Sequence, residues 1–376
     1  MSVRAALFTG NYNHIRDGVS LTLNRMVRYL EAQGHEMLVF GPTVEEPALD
    51  HAGTLVPVPS LAAPGRPEYR VSTGFSAEAK RAFDDFAPDL VHIATPDVLG
   101  LGALRYAKKR GLPVVATYHT HFSSYLDYYR LGWAEPMVWR YLRWFYRHCR
   151  HLYVPTESMA AELRRHGIDG NLRIWARGVE VDTFNPSKRD LSWRRALGIE
   201  DDEPVVAFVS RIVWEKGLDV YAGVIEALEE AALQHRALIV GDGPALPELK
   251  ARLPKAISVG FQSGQALARA YASSDIFLFP SETETFGNVT LEAMASGLPA
   301  VCADAVGSSS LVLDGNTGFL APSRDTPAFY EAVRRLVDDP RLRTEQSAAA
   351  RRHAESFAWE KILAQMDAYY QEAIAL

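Results

Sequence analysis

The sequence predicts an α/β protein made of two doubly wound parallel sheets, and three observations carry that expectation. At 376 residues the chain exceeds what one hydrophobic core usually serves. Short apolar runs alternate with helical stretches along its length, the pattern of strand–helix–strand crossovers. A polar, turn-rich stretch, 177–190, divides that alternation into two halves.

In the first half, residues 3–9, 36–40, 90–94, 114–118 and 152–154 read as strands, and 18–32, 77–86, 99–110 and 158–166 as helices. In the second, 205–210, 237–240, 257–259, 276–279 and 300–303 read as strands, with helices at 218–232, 246–253, 266–271 and 289–295. Apolar content of 48% and charged content of 23% are those of an ordinary globular protein. No run is long and apolar enough to span a bilayer, and the first residues lack the pattern of a secretory signal, so the expected location is the cytoplasm. Charge is uneven: residues 1–187 hold 21 Lys and Arg against 19 Asp and Glu, and the remainder 19 against 27. With a net charge of −6 and no recognisable binding module, nucleic acid is not an expected partner. Cys149 and Cys302 lie too far apart for a disulfide framework or a metal site and read as small buried hydrophobes.

The first strand leads through a loop whose Gly18 can present backbone N–H groups to a diphosphate, with Asp17 capping the helix that follows. His92 interrupts an apolar strand and reads as a satisfied core histidine. His119 and His121 follow the carboxyl end of the next strand, where two histidines without a third ligand make a poor zinc site. The segment 122–151 then mixes large aromatics with arginines. Arg140, Arg143, Arg147 and Arg150 recur at helical intervals on one face, and Tyr141, Trp144, Phe145 and Cys149 form another beside it. Two readings stand: an interfacial helix on an anionic membrane, or a core helix with a solvated arginine face.

In the second half, Arg211 and Lys216 flank a strand-to-helix loop, two cations suited to a diphosphate leaving group. The glycines of 241–244 read as structural, and Val259, Gly260 and Phe261 stand at another strand end. The stretch 281–299 places a loop between the apolar run 276–280 and a short helix closed by Gly297. There Gly287, Asn288 and Val289 offer unpaired N–H groups at a helix N-terminus, where a phosphate can sit. Glu284 and Glu292, eight positions apart, flank that site and can accept from hydroxyls of one ligand. Phosphate plus polyol points to a sugar nucleotide.

These motifs together resemble the retaining GT-B glycosyltransferases of family 4. FLFPSETETFGNVTLEAMASGLPAV matches that family's E-x7-E element, and Arg211 through Lys216-Gly217 its R-x4-K-G element. The resemblance implies a GT-B fold, two Rossmann-like domains facing a deep cleft. Residues 1–187 would form an acceptor-side domain rejoined by a returning helix, 359–376, and 188–358 the domain that binds the nucleotide sugar. It implies that Glu284 contacts the donor sugar, that Glu292 holds the ribose, and that His119 lies by the reacting bond. Val259 and Phe261 would lie against the base, and Gly18, Phe286, Gly287, Asn288 and Val289 complete the donor contacts. Where the family has a Gly-Gly turn this chain has Gly307 and 308–310.

The implied reaction is retaining hexosyl transfer, without metal or other cofactor, from a UDP- or GDP-linked sugar such as GDP-mannose to a lipid or lipid-linked glycan. TYHTHFSSYLDYYRL, RIWARGVEVDTFNP and ETFGNVTLEA look most like the branch that includes sulfoquinovosyl lipid synthases and glycolipid mannosyltransferases. Peripheral attachment to the inner face of the cell membrane, through Arg140, Arg143, Trp144, Arg147 and Arg150, goes with that expectation. Two rivals remain: a nucleotide-sugar epimerase or sugar-phosphate synthase on the same fold, and a non-catalytic nucleotide-sugar-binding protein. Product formed with no acceptor supplied distinguishes the first, while Arg211, Lys216, Glu284 and Glu292 speak against the second.

Overall fold

The computed structural model describes residues 2–63, 66–118, 133, 135–284 and 286–375. It divides into two compact units, Met1–Ala176 with Ile362–Leu376, and Arg177–Lys361.

Unit 1 runs β1 (Arg4–Phe8), α1 (Gly18–Ala32), β2 (Glu36–Gly41), β3 (Thr54–Pro57), β4 (Ser60–Ala63), β5 (Arg66–Ser72), α2 (Ala77–Phe86), β6 (Leu90–Ile93), α3 (Val98–Lys109), β7 (Val114–Thr117), α4 (Glu135–Tyr146), β8 (His151–Val154), α5 (Glu157–Arg165) and β9 (Leu172–Ile174). Seven of these strands pair in parallel, in the order β3-β2-β1-β6-β7-β8-β9, and β4–β5 is a separate antiparallel hairpin. The order reverses between β1 and β6, the switch point at which doubly wound sheets open a crevice beyond the strands' carboxyl ends. Strands buried on both faces need continuous apolar runs, and β6, β7 and β8 are buried at every position. Phe8 stacks on Phe40 at 4.6 Å and meets Phe75 edge-on at 5.1 Å, tying β1 and β2 to the loop before α2.

Unit 2 continues with α6 (Leu191–Ala196), β10 (Val205–Val209), α7 (Leu218–Glu230), β11 (Arg236–Val240), α8 (Leu246–Arg252), β12 (Ile257–Ser258), α9 (Gly264–Ala272), β13 (Ile276–Phe279), α10 (Asn288–Ala295), β14 (Ala300–Ala303), β15 (Gly318–Ala321), α11 (Thr326–Asp338) and α12 (Pro340–Ala354), before α13 (Trp359–Ala375). Its six strands are all parallel, in the order β12-β11-β10-β13-β14-β15, so the switch point lies between β10 and β13.

The division falls earlier than residue 187. The polar stretch 177–190 packs within unit 2: Phe184 meets Tyr271 edge-on at 5.8 Å, Arg189 pairs with Asp275, and Arg351 donates to the carbonyls of Val181 and Phe184. The chain rejoins unit 1 at Ile362 rather than 359, because the Trp359 ring packs against Gly178, where a Cβ would come within 2.5 Å. From Ile362 onward α13 is bound to unit 1 by polar contacts. Trp175 Nε1 donates to the Ile362 carbonyl, Tyr370 Oη meets His92 Nδ1 at 2.6 Å, Arg173 pairs with Glu372, and His35 lies 3.1 Å from Asp367. His92 is therefore a core residue. It is fully buried, also bonded to Thr117 Oγ1, and burial pushes its pKa down to about 3.

Candidate active site

The side chains marked out by the second-half motifs converge at the unit 2 switch point. Arg211 follows β10 and Glu284 follows β13, and these neighbouring strands carry their loops to one edge of the sheet. Gly217 makes the approach possible. It adopts φ +78°, and a Cβ there would stand 2.6 Å from the Pro280 carbonyl oxygen. Lys216, beside it, reaches across so that Nζ donates to Glu284 Oε1 at 2.7 Å and to Thr283 Oγ1 at 3.0 Å. The pair is largely sheltered, the two side chains being 12% and 23% exposed. Arg211 is placed differently: its side chain is 74% exposed and only 3.4 Å from Glu215, free to swing onto a ligand.

Glu284 is held from behind by a residue that spacing alone does not mark. A Cβ on Gly307 would lie 2.6 Å from the Glu284 carbonyl oxygen and 2.8 Å from its Cβ, so only glycine lets the two loops touch. Gly307 thus lets its loop pack directly against the backbone of Glu284.

Gly287, at φ +95°, is the N-cap of α10, and among the described residues no side chain caps that end. The first intrahelical bond runs from Leu291 N–H to the Gly287 carbonyl, which leaves the amides of Gly287, Asn288 and Val289 without partners among the described residues, on the positive end of the helix. Glu292 lies one turn further in. It is half-buried by area, but its carboxyl group is closely surrounded, and that burial pushes its pKa up to about 7 against the pull of a bond from Tyr271. Tyr271 Oη lies 3.4 Å from Glu292 Oε2 and 3.2 Å from the Val289 carbonyl, fixing the carboxylate to α10. Nothing in the sequence links Tyr271 to Glu292; they meet because α9 packs beside α10.

Two expected donor contacts are placed otherwise. The Phe286 side chain is buried and meets Phe357 edge-on at 6.4 Å, so it anchors the loop inside the unit and leaves ligand contact to its neighbours. Val259 has spent both backbone groups, its N–H on the Ile239 carbonyl and its carbonyl on Gln262 Nε2. The ring of Phe261, 76% exposed, is what that strand end presents instead.

In unit 1, Gly18 opens α1 behind Asp17. Asp17 accepts from the Ser20 amide at 2.8 Å while Ser20 Oγ accepts from the Asp17 amide, a reciprocal cap. His119 and His121 lie outside the described residues, as does most of 122–134. The aromatic face of α4 is a core face: Trp139, Leu142, Phe145 and Tyr146 are buried, with Trp139 stacked on His166 at 3.7 Å, and Cys149 beyond them is buried too. Trp144 is half-buried beside Tyr141 and His148. Of the four arginines, Arg140, Arg143 and Arg147 are exposed, Arg143 also donating to the His166 carbonyl, whereas α4 ends at Tyr146 and Arg150 turns to the Ala373 carbonyl at the end of α13. Both cysteines are buried free thiols. Among the described residues no three His, Cys, Asp or Glu side chains converge as metal ligands, and no helix is long and apolar enough to cross a membrane.

Comparison with known proteins agrees with this geometry. Residues 16–183 match the model of Glycosyltransferase Family 4, and residues 203–339 that of the glycosyl transferases group 1. The sulfoquinovosyl transferase SQD2 of Arabidopsis thaliana is 33% identical over 91% of this chain and 68% of its own length. A GDP-mannose-dependent α-mannosyltransferase of Mycobacterium tuberculosis is 33% identical over 98% of this chain and 96% of its own. Among solved structures, a sucrose-phosphate synthase from Thermosynechococcus elongatus superposes with a TM-score of 0.74 at 20% identity, over 99% of both chains. Anabaena HepE in complex with UDP does so with a TM-score of 0.74 at 19% identity, over 99% of this chain and 100% of its own, and the fold is GT-B. Relatives matched from end to end, together with a switch point that carries R-x4-K-G and E-x7-E side by side, establish that the chain belongs to glycosyltransferase family 4 and is a hexosyltransferase.

Proposed function

We propose that the chain transfers a hexose, with retention of configuration, from a UDP- or GDP-linked sugar to a hydroxyl of a lipid or lipid-linked glycan, and that it needs no metal ion or other cofactor. The observation that carries this reading is the sheltered Lys216–Glu284 pair beside the open N-terminus of α10. As the bond from the anomeric carbon to the diphosphate oxygen breaks, negative charge grows on the leaving group. Lys216, Arg211 and the amides of Gly287, Asn288 and Val289 are set to meet it, a sheltered donor of this kind contributing about 3 kcal/mol to the transition state and an exposed one less. The acceptor oxygen attacks from the face the diphosphate leaves, and its proton passes to the departing phosphate oxygen. Glu284 then accepts from sugar hydroxyls and Glu292 from the ribose, the exposed Phe261 ring offers a stacking surface for the base, and His119, by family resemblance, flanks the sugar.

Three relatives support the substrate classes by their names, one a sulfoquinovosyl transferase and two GDP-mannose-dependent α-mannosyltransferases. Attachment to the inner face of a membrane belongs to the same reading, with the exposed Trp133, Met137, Arg140 and Arg147 as the contacts unit 1 still offers.

The test is a thermal-shift screen of UDP-, GDP- and ADP-hexoses, followed by incubation of the stabilising donor with lipid acceptors and determination of the product's anomeric configuration. A lipid glycoside of the donor's own configuration is expected. A new sugar nucleotide or sugar phosphate formed with no acceptor present would overturn the proposal.

A further inference from the structure

Unit 1 holds a cavity of about 350 Å³ between α2, α3 and the loop 74–75. Its floor is apolar. Val98, 56% exposed, and Leu101 come from one face of α3, and the rings of Phe75 and Tyr106 close the other side, edge-on at 5.2 Å. Three cations stand around that floor: Lys80 from α2, and Arg105 and Lys109 one turn apart on α3. Lys80 is half-buried, with Nζ 5.8 Å from the Phe75 centroid and 5.7 Å from that of Tyr106.

The charges are uncompensated. Among the described residues no carboxylate pairs with Lys80, Arg105 or Lys109. Asp84, one turn along α2 from Lys80, is taken by the Tyr106 hydroxyl and Arg110. Like charges at this helical spacing oppose the fold slightly, and a cation held over rings is partly stripped of water, so both gain from an anion. The lysine at the end of α3 also complements the helix dipole, but Arg105 in mid-helix and Lys80 on another helix have no such explanation.

The lining also says what the rest of the ligand is. It has no carboxylate, amide or free hydroxyl, the Tyr106 oxygen being occupied by Asp84. A sugar or base would bury N–H and O–H donors there with no side-chain acceptor to meet them, which is costly, whereas an alkyl chain loses nothing.

We infer that this cavity binds an anionic phospholipid, its phosphate between Lys80, Arg105 and Lys109 and the start of its acyl chain along Val98 and Leu101. The site shares no residue with the sugar-nucleotide site, and the inference does not rest on which sugar or acceptor the enzyme uses. It assigns lipid contact to the α2–α3 flank as well as to α4.

The experiment compares the full chain with two triple variants: Lys80→Gln, Arg105→Gln, Lys109→Gln, and a charge-matched control, Arg28→Gln, Arg81→Gln, Lys108→Gln, whose residues are exposed and outside the cavity. Circular dichroism and melting confirm that each folds, and sugar-nucleotide binding is expected to be unchanged in both. Partition onto phosphatidylcholine vesicles doped with phosphatidylglycerol should fall roughly tenfold or more in the cavity variant, and clearly less in the control. Short-chain phosphatidylglycerol below its micelle concentration should bind the wild-type protein where inorganic phosphate at equal ionic strength does not. Equal losses in the two variants would show a diffuse charge effect and overturn the proposal. So would inorganic phosphate binding as well as the lipid, or the short-chain lipid failing to bind.

Discussion

The two units are built on one plan and differ in how their helices begin. In unit 1 four helices close their own N-termini: Asp17 caps α1, Ser76 α2, Asp97 α3 and Thr156 α5, each accepting from a backbone amide. In unit 2 the four helices that follow β10, β11, β12 and β13 have no side-chain cap among the described residues, and two of them, α7 and α10, start at left-handed glycines. Only α11, after the edge strand β15, and the more peripheral α6 and α12 are capped, by Asp325, Asp190 and Asp339. A capped end is satisfied; an uncapped one leaves donors for something else. The difference accords with a sugar-nucleotide diphosphate held at the helix ends of unit 2, where amides left open can meet it.

The largest expected effect is on the charges next to those open ends. Lys216→Ala should lower turnover about a hundredfold, and Arg211→Ala, whose side chain is far more exposed, about tenfold, with circular dichroism unchanged. Normal turnover in both would separate the open helix ends from catalysis. Exchanging the two kinds of end comes next. Gly287→Asp should place a carboxylate over the amides of α10 and weaken sugar-nucleotide binding by roughly tenfold or more, at a cost of about 1–2 kcal/mol for the left-handed backbone. Asp17→Ala should cost about 1 kcal/mol of stability and leave that binding alone. Calorimetry and melting read both, and a reversed pattern would place the anion site in unit 1.

The smallest effect is a pH dependence. With Glu292 titrating near 7, affinity for an intact sugar nucleotide, whose diphosphate diester does not ionise there, should fall as pH drops below 7, by up to about tenfold per unit. Glu292→Gln should flatten the profile. Because its pKa is raised from the ordinary 4.5, the folded chain binds this proton more tightly than the unfolded one, so stability declines as pH rises from 4.5 towards 7 and the carboxyl ionises in its buried place. A wild-type binding profile flat between pH 6 and 8 would mean that the ribose is held elsewhere.

Much of this was legible in the residues. Most of the parallel strands showed as apolar runs, and the candidate anion site showed as glycine after a strand and before a helix, with acids at both ends. Others did not: β9 is half-buried throughout with Arg173 at its centre, β15 opens on Gly318, and β3 with the β4–β5 hairpin lay in a stretch rich in proline. The α4 segment shows the same limit in another way. Spacing gave two faces but not which one faces inward, nor that the helix stops at Tyr146 and turns Arg150 to α13. Contacts between distant parts of the chain, Tyr271 on Glu292 and Gly307 behind Glu284, leave no mark in local sequence.

The return of α13 to unit 1 also sets the order of events during synthesis. Unit 2 is one continuous stretch, Arg177–Lys361, and can close as soon as it has left the ribosome. Unit 1, although made first, gains its contacts with α13 only once residues 362–375 are made: until then His92 lacks Tyr370, Arg173 lacks Glu372 and Trp175 lacks the Ile362 carbonyl. A nascent chain stalled just before Ile362 carries all of unit 2 and a unit 1 still open along the flank that α13 covers.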